Sequence, residues 1–99
     1  MLTRIVKMHF EREKVPEFLE IFEEVKAKII GFEGCTQLYL YQDQQQPEVI
    51  FTYSIWTDAT ALDAYRHSPL FQGTWKRTKA LFAEKPMAWS LDLVEKLEM

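Results

Sequence analysis

The sequence is poor in the residues that cross-link or break a chain. It contains one cysteine, three glycines and four prolines among 99 residues. The lone Cys35 cannot form a disulfide within the chain, and the beginning Met1–Arg4 lacks the long apolar run of a signal peptide. Both features predict a cytoplasmic protein. The scarcity of glycine and proline also argues against a disordered chain.

Long apolar runs and an excess of positive charge are missing as well. No stretch of the sequence approaches the roughly 18 consecutive apolar residues that a membrane-spanning helix needs. The formal net charge is −3, so the chain offers no attractive field for phosphates. We therefore expect neither a membrane nor a nucleic acid as a partner. A small apolar or aromatic ligand without charge suits this balance better.

Apolar and aromatic side chains are abundant instead, at 47% and 14% of the residues. This content is rich for the modest core of so short a chain. We expect one domain over residues 1–99, in which part of the apolar surface seals an interface or lines a pocket.

The periodicity of the first third of the chain predicts a strand and then a helix. Residues 2–10 alternate between apolar and polar side chains, which is typical of a strand. From Val15 to about Ile30, apolar residues recur every three or four positions, as on one face of a helix. Gly31 is placed to end this helix in the left-handed conformation that glycine tolerates.

The middle of the chain predicts a hairpin followed by a split helix. Residues 35–42 and 48–56 are rich in aromatic and β-branched residues and flank a polar loop. Asp58 can cap the next helix, while Ser68 and Pro69 provide a second cap and first turn. The second helix is therefore expected to consist of two pieces.

The last part of the chain completes the order strand, helix, strand, strand, helix, strand. The second helical piece is expected to include Leu81 and Phe82 and to stop before Pro86, and Met87–Val94 is the expected last strand. This order predicts a ferredoxin-like α+β sandwich, an antiparallel sheet with helices on one face. Because the other face stays bare and partly apolar, we expect a homodimer through that open sheet face.

Two histidines are the candidates for proton transfer near neutral pH. His9 and His67 stand on different elements, so a metal site has little support, and no strong catalytic motif is present. Each histidine also has a simpler interpretation. His9 can be a partly exposed strand residue, and His67 can interact with the C-terminal end of its helix.

Aromatic residues of the third strand and the split helix could line a cavity against the sheet. They are Trp56, Tyr65, Phe71, Trp75 and Phe82. Aromatic residues at helical spacing usually fill a core, which is the alternative for each ring. The hydroxyls of Tyr39, Tyr41 and Tyr53 could orient a ligand, or these residues could form ordinary cross-strand pairs.

One stretch of the chain resembles the antibiotic biosynthesis monooxygenase family. Its signature is a strand-ending Trp, then a helix with Leu-x-Ala-aromatic, then Ser-x-x-Phe. The matching residues are Tyr53-Ser-Ile-Trp56, Leu62-Asp-Ala-Tyr65, Ser68 and Phe71. The helix before Gly34-Cys35 and the following strand are similar too, so the likeness covers nearly the whole chain. It implies a ferredoxin-like fold that pairs into a dimeric α+β barrel.

The resemblance also implies an activity: a monooxygenase that oxidises a small phenol or quinol with O₂ and needs no metal, flavin or other cofactor. A water-excluding pocket would bind the phenol, a base would take its proton, and the phenolate would react with O₂. His9 is the first candidate base and His67 the second. The implied substrate-binding residues are Trp56, Tyr65, Phe71, Trp75, Tyr39 and Tyr53.

Three other functions are weighed against this one. The haem-degrading branch of the family uses an Asn on the first strand, a Trp on the split helix and, ten residues later, a His as iron ligand. Here Tyr65 and Trp75 occupy the last two positions and the first strand has no Asn, which disfavours haem degradation. A non-catalytic dimeric module that binds a small ligand is the main alternative, and two solvent-facing histidines would favour it. A purely structural dimer would have no pocket near Trp75.

Overall fold

The structure, a computed structural model, describes residues 1–99. It consists of four strands and three α-helices, with one 3₁₀ turn over Arg12–Lys14 before the first helix. In chain order these are β1 (Leu2–Phe10), α1 (Val15–Ile30), β2 (Cys35–Gln42), β3 (Val49–Trp56), α2 (Ala59–Arg66), α3 (Pro69–Lys79) and β4 (Phe82–Asp92). None of the helices combines the length and the apolar character needed to cross a membrane.

The four strands form one antiparallel sheet in the order β2-β3-β1-β4. The helices pack on one face of this sheet, so the predicted ferredoxin-like α+β fold is confirmed. The core lies between that face and α1. Met8 and Phe10 of β1 contribute to it with Ile50 of β3, against Phe18 and Ile21 of α1. The alternation predicted for β1 therefore places Val6, Met8 and Phe10 under the helices.

The first helix has the predicted bounds, but its end differs in one respect. Gly31 is right-handed, with φ −82° and ψ −5°, so the prediction of a left-handed Gly31 is wrong. Its N–H still donates to the carbonyl of Ala27 at 3.0 Å, so helical hydrogen bonding continues through it. The left-handed residue is Gly34, with φ +91°, directly before β2.

The split of the second helix is confirmed, and so are both of its caps. Asp58 Oδ1 accepts a hydrogen bond from the N–H of Ala61 at 2.8 Å. Ser68 Oγ accepts one from the N–H of Phe71 at 3.1 Å, and Pro69 occupies the first turn of α3. These caps satisfy backbone donors that would otherwise have no partner at a helix start.

The last strand begins five residues earlier than predicted and ends two residues earlier. Phe82 does not continue α3, which ends at Lys79, but pairs with Phe10 as the first residue of β4. The register shifts where Lys7 pairs with Met87 and His9 with Glu84, so Pro86 lies at a bulge of an edge strand. Proline lacks an N–H, but a bulge of an edge strand tolerates it. The strand therefore runs through Pro86 and does not begin after it.

The face of the sheet that carries no helix, called the open face below, is largely apolar. Cross-strand pairing places Tyr53 opposite Tyr39 and Ile5, and Ile5 opposite Trp89. Trp89 is 39% exposed and the neighbouring Leu91 is 46% exposed. These side chains are the bare apolar surface that the sequence predicted.

Candidate ligand cavity

A cavity of about 310 Å³ lies between the helix-covered face of the sheet and the three helices. This volume is at the lower end of the roughly 300–1,000 Å³ found for small-molecule sites. Hydrophobic residues form most of its wall, and α1 contributes more of them than any other element. The interior is therefore not completely filled by side chains, and the space suits a small, flat, apolar ligand.

Four of the predicted substrate-binding residues line this space, called the aromatic cavity below, and their rings form a continuous series. The ring centroids of Trp56 and Tyr65 are 5.0 Å apart, those of Tyr65 and Phe71 5.3 Å, and those of Phe71 and Trp75 5.8 Å. Phe71 and Trp75 are four residues apart on α3 and therefore share one face of the helix. The split between α2 and α3 lets Tyr65 meet that face.

Trp56 contributes to the core as well as to the cavity. Its side chain is 1% exposed, and its Nε1–H donates to Ser54 Oγ at 2.9 Å. A buried indole whose only donor is already satisfied offers a ligand an apolar surface and no hydrogen bond. Tyr65, Phe71 and Trp75 are half-buried and border the free space.

Tyr65 brings a free hydroxyl to the cavity. The hydroxyl makes no hydrogen bond within the protein. Burial, with a smaller contribution from the nearby Cys35 thiol, raises the pKa of Tyr65 to about 12. The group therefore stays protonated at neutral pH and can donate a hydrogen bond to a ligand, but it is no base.

Arg4 is a polar residue of the cavity that sequence reasoning missed. In the sheet it pairs with Ser54 on one side and Ser90 on the other, and its Nη1 donates to Ser90 Oγ at 2.9 Å. Burial, and then the charge of Arg66, lower the pKa of Arg4 from its usual value. Its position in β1 could have indicated this role, because Arg4 lies on the same side of the strand as the apolar, helix-facing residues Val6 and Met8.

His9, the first candidate base, does not line the cavity. It pairs with Val49 and Glu84 on the odd parity of β1, which is the open face. Its Nδ1 lies 2.5 Å from the Glu84 carboxylate, and its side chain is 28% exposed. The structure thus places it as a partly exposed strand residue with an acidic partner, on the side of the sheet away from the aromatic cavity.

His67, the second candidate base, is also absent from the cavity wall. It follows α2, and its Nδ1 lies 2.8 Å from the carbonyl oxygen of Asp63 in the last turn of that helix. The side chain is 75% exposed. His67 therefore interacts with the helix end, as its simpler interpretation had it, and faces solvent.

Tyr39 and Tyr53 are not brought together with the four cavity rings. They are cross-strand partners with ring centroids 5.6 Å apart, and they lie on the open face with Tyr41. Their placement therefore matches ordinary cross-strand pairing, the alternative to a role in orienting a ligand.

Metal-binding residue types are not clustered anywhere in the fold. No group of three or more His, Cys, Asp or Glu side chains converges in residues 1–99. Cys35 is half-buried, and burial raises the pKa of its thiol, which keeps it in the unreactive protonated form.

Comparison with known proteins agrees with this architecture. The family model for antibiotic biosynthesis monooxygenase matches residues 1–77. A crystal structure of an antibiotic biosynthesis monooxygenase superposes with a TM-score of 0.90 at 22% identity, covering 96% of this chain and 100% of the other. No curated protein sequence matches.

Two further structures share the fold. A variant of SnoaB, a cofactor-independent oxygenase from Streptomyces nogalater, gives a TM-score of 0.87 at 16% identity, covering 99% of this chain and 97% of that one. A conserved protein from Methanosarcina mazei Go1 gives 0.86 at 23% identity, with 92% and 91% covered. At such low identities these likenesses establish the fold and not the reaction.

Proposed function

The chain belongs to the antibiotic biosynthesis monooxygenase family, and we propose that it oxidises a small phenol or quinol with O₂ in the aromatic cavity, without a metal or flavin. The observation that carries this proposal is the cavity itself. A core filled with side chains would have left no room for a substrate, whereas here about 310 Å³ is open beside Tyr65, Phe71 and Trp75.

The cavity walls suit a flat aromatic substrate. Half-buried rings on α2 and α3 can stack on its faces, and offset stacking of two rings contributes about 0.5–1.5 kcal/mol beyond the burial of area. The hydroxyl of Tyr65 can donate a hydrogen bond to the substrate's oxygen, which fixes the orientation of the ring. A bound aromatic ring would displace water from the apolar part of the space, where an electron-rich phenolate is more reactive.

The proposed reaction needs no external reductant. A phenol that loses its proton becomes a phenolate, which gives electrons to O₂. One oxygen atom ends as a ring carbonyl and the other leaves as water, so phenol and O₂ become quinone and water. The two hydrogens of that water come from the substrate's own O–H and C–H groups. All four electrons that reduce the two oxygen atoms come from the substrate, which is oxidised from a phenol to a quinone.

We further propose that the protein works as a homodimer through the open face. That face carries the tyrosine cluster of Tyr39, Tyr41 and Tyr53 and the exposed Trp89 and Leu91. Such a surface is self-complementary when two copies pack about a twofold axis, and burial of its apolar side chains would stabilise the pair. The helix-covered cavity would remain accessible in each copy.

Oxygen consumption tests the proposal. Purified protein would be supplied with a panel of hydroquinones and polycyclic phenols in an oxygen electrode, with quinone formation followed by absorbance. We expect at least one compound to be consumed with one O₂ per quinone, and dialysis against a chelator to leave the rate unchanged. Failure of every compound that binds in the cavity to consume oxygen would contradict the proposal.

The histidines are tested in the same assay. The prediction that His9 or His67 is the base remains a proposal, and it would require the partner copy or a rearrangement to bring an imidazole to the cavity. The geometry within one copy leads us to expect that His9→Asn and His67→Asn each change the rate by less than about threefold. A loss of a hundredfold in one of them would identify that histidine as the base.

The non-catalytic binding module is the second candidate function. One observation favours it: the cavity wall contains no histidine, carboxylate, lysine or cysteine, and its one tyrosine, Tyr65, has a pKa of about 12 and cannot act as a base near neutral pH. In that case the same panel of compounds would bind, but no oxygen would be consumed and each compound would be recovered unchanged.

A further inference from the structure

The charged residues of the aromatic cavity are all of one sign. Its wall contains Arg4 and Arg66 and no aspartate, glutamate, lysine or histidine. Both charged residues are basic although the chain has more acidic residues, 15, than basic ones, 12. The overall negative charge of the protein therefore gives no indication of the local charge that a ligand meets here.

Neither arginine has a carboxylate partner. The five ion pairs of the structure involve other residues, and Arg4 makes one side-chain hydrogen bond, to the neutral hydroxyl of Ser90. A guanidinium has five N–H donors and stays charged at any physiological pH. Buried or half-buried charges are normally paired, because desolvation without a partner is costly. Arg4 thus retains donors that can pair with a ligand.

The register of the sheet separates a polar end of the cavity from an apolar end. Arg4 lies in one row across the sheet with Ser54 and Ser90. Two residues further along β1, Val6 lies in the next row, and Met8 is buried beyond it. Arg66, at the end of α2, is exposed and forms part of the cavity rim. The charge of Arg66 also contributes to lowering the pKa of Arg4, so the two like charges repel each other.

From these contacts we infer that Arg4, with Arg66 at the rim, binds a negatively charged oxygen group on an aromatic ligand of the cavity. The ligand class is an aromatic carboxylate or a phenol bound as its phenolate, with the ring toward Val6 and Trp75 and the charged oxygen toward Arg4. An oxyanion would relieve the repulsion between the two arginines and use the free donors of Arg4. The sequence-based expectation of an uncharged ligand rested on net charge and is replaced by this inference.

This inference rests on the proposed function only in the choice of the cavity, and it deepens that function. Where the ligand is a phenol, the positive charge of Arg4 favours ionisation of the bound hydroxyl. The bound phenol would release its proton to water, and the reactive phenolate would then form without a histidine in the cavity wall.

A pair of nearly isosteric ligands tests the inference in the absence of oxygen. 2-Naphthoate carries a carboxylate, and 2-naphthamide replaces it with a neutral group of the same size. Calorimetric titration at pH 7 should give at least tenfold tighter binding of the acid to the natural protein. Arg4→Gln should remove that preference while it changes the affinity for the amide by less than about threefold.

Two further variants keep the result interpretable. Arg66→Gln, at an exposed helix end where folding is not at risk, should reduce the preference by about two- to fivefold. Arg12→Gln, which removes another exposed arginine that lies outside the cavity, should leave the preference unchanged. Equal binding of acid and amide, an undiminished preference in Arg4→Gln, or failure of both compounds to bind would each overturn the inference.

A second experiment distinguishes phenolates from carboxylates as the ligands of this site. 4-Nitrophenol absorbs visible light as its phenolate, so its pKa when bound can be read from absorbance against pH. A bound pKa that lies at least one unit below that of the free compound, and rises again in Arg4→Gln, assigns the site to phenolates. A preference seen with naphthoate alone assigns it to carboxylates. Anion binding without oxygen consumption would retain this inference and reject the monooxygenase.

Discussion

Trp56 and Tyr65 show how adjacent aromatic residues can have different roles. Their rings stack at 5.0 Å, but Trp56 is 1% exposed with its N–H bonded to Ser54, whereas Tyr65 is half-buried with a free hydroxyl. Truncating a buried Trp to Ala typically costs about 3–5 kcal/mol. Trp56 therefore belongs to the framework of the cavity, and Tyr65 is the residue that can recognise a ligand.

The hydroxyl of Tyr65 gives the prediction at this scale. Tyr65→Phe keeps the ring and removes a donor that has no partner in the protein, so the free energy of unfolding should change by less than about 0.5 kcal/mol. Binding of 2-naphthol should weaken by about three- to tenfold, because one hydrogen bond to the ligand is lost. The matched change Tyr53→Phe on the open face should leave binding unchanged. Equal affinities of Tyr65→Phe and the natural protein would show that the hydroxyl does not contact the ligand.

The sequence predicted some residues of the cavity correctly and missed others. Four of the aromatic residues that line the cavity were predicted from the end of the third strand and from the split helix, where helical spacing places Phe71 and Trp75 on one face. Tyr39 and Tyr53 were grouped with them although strand parity directs these two residues to the other face. Arg4 was missed because one polar residue on an apolar parity gives a weak signal without knowledge of what lies above it.

At the scale of the elements, the turn between α1 and β2 depends on Gly34. Its φ is +91°, and a Cβ added there would lie 2.3 Å from the Cβ of Ala61 on α2. Two effects coincide, because a side chain disfavours this backbone conformation and also has no room. This close approach seats α2 against the beginning of β2, and so it helps to position Tyr65.

Gly34→Ala should therefore lower the free energy of unfolding by about 2–4 kcal/mol, measured by urea denaturation. Gly73 provides the control, since an added Cβ in this helical residue meets nothing within 4 Å. Gly73→Ala should stabilise the protein by about 0.5–1 kcal/mol, because alanine loses less backbone entropy in a helix. Similar unfolding free energies for the two variants would contradict this explanation of the turn.

The elements themselves were largely predictable. Caps at Asp58 and Ser68 and the period of α1 are local features, and local features are visible in a sequence. The start of β4 was not, because Phe82 continues the helical spacing of α3 as well as it begins a strand. Its pairing with Phe10, 72 positions away along the chain, decided between the two. Contacts of such long range leave little trace in local periodicity.

For the whole molecule, the open face leads to a prediction about assembly. Trp89→Lys places a charge within the proposed interface, and burial of an unpaired charge is costly. We expect size-exclusion chromatography with light scattering to give a dimer for the natural protein and a monomer for this variant. Leu19→Lys, which changes a 42% exposed leucine on α1, should remain dimeric. A monomeric natural protein would reject the proposed interface.

The central claim is that the substrate binds and reacts in the aromatic cavity, and a variant that fills the cavity tests it most directly. Thr74 lines the cavity from α3, whereas Thr60 is exposed on α2 outside it. The measurement is the oxygen consumption of Thr74→Trp and Thr60→Trp with a phenol that the natural protein oxidises, after far-ultraviolet circular dichroism has shown both to be folded. We expect Thr74→Trp to lose at least 95% of the rate and Thr60→Trp to keep it. Full activity in a folded Thr74→Trp variant would place the reaction elsewhere and contradict the account.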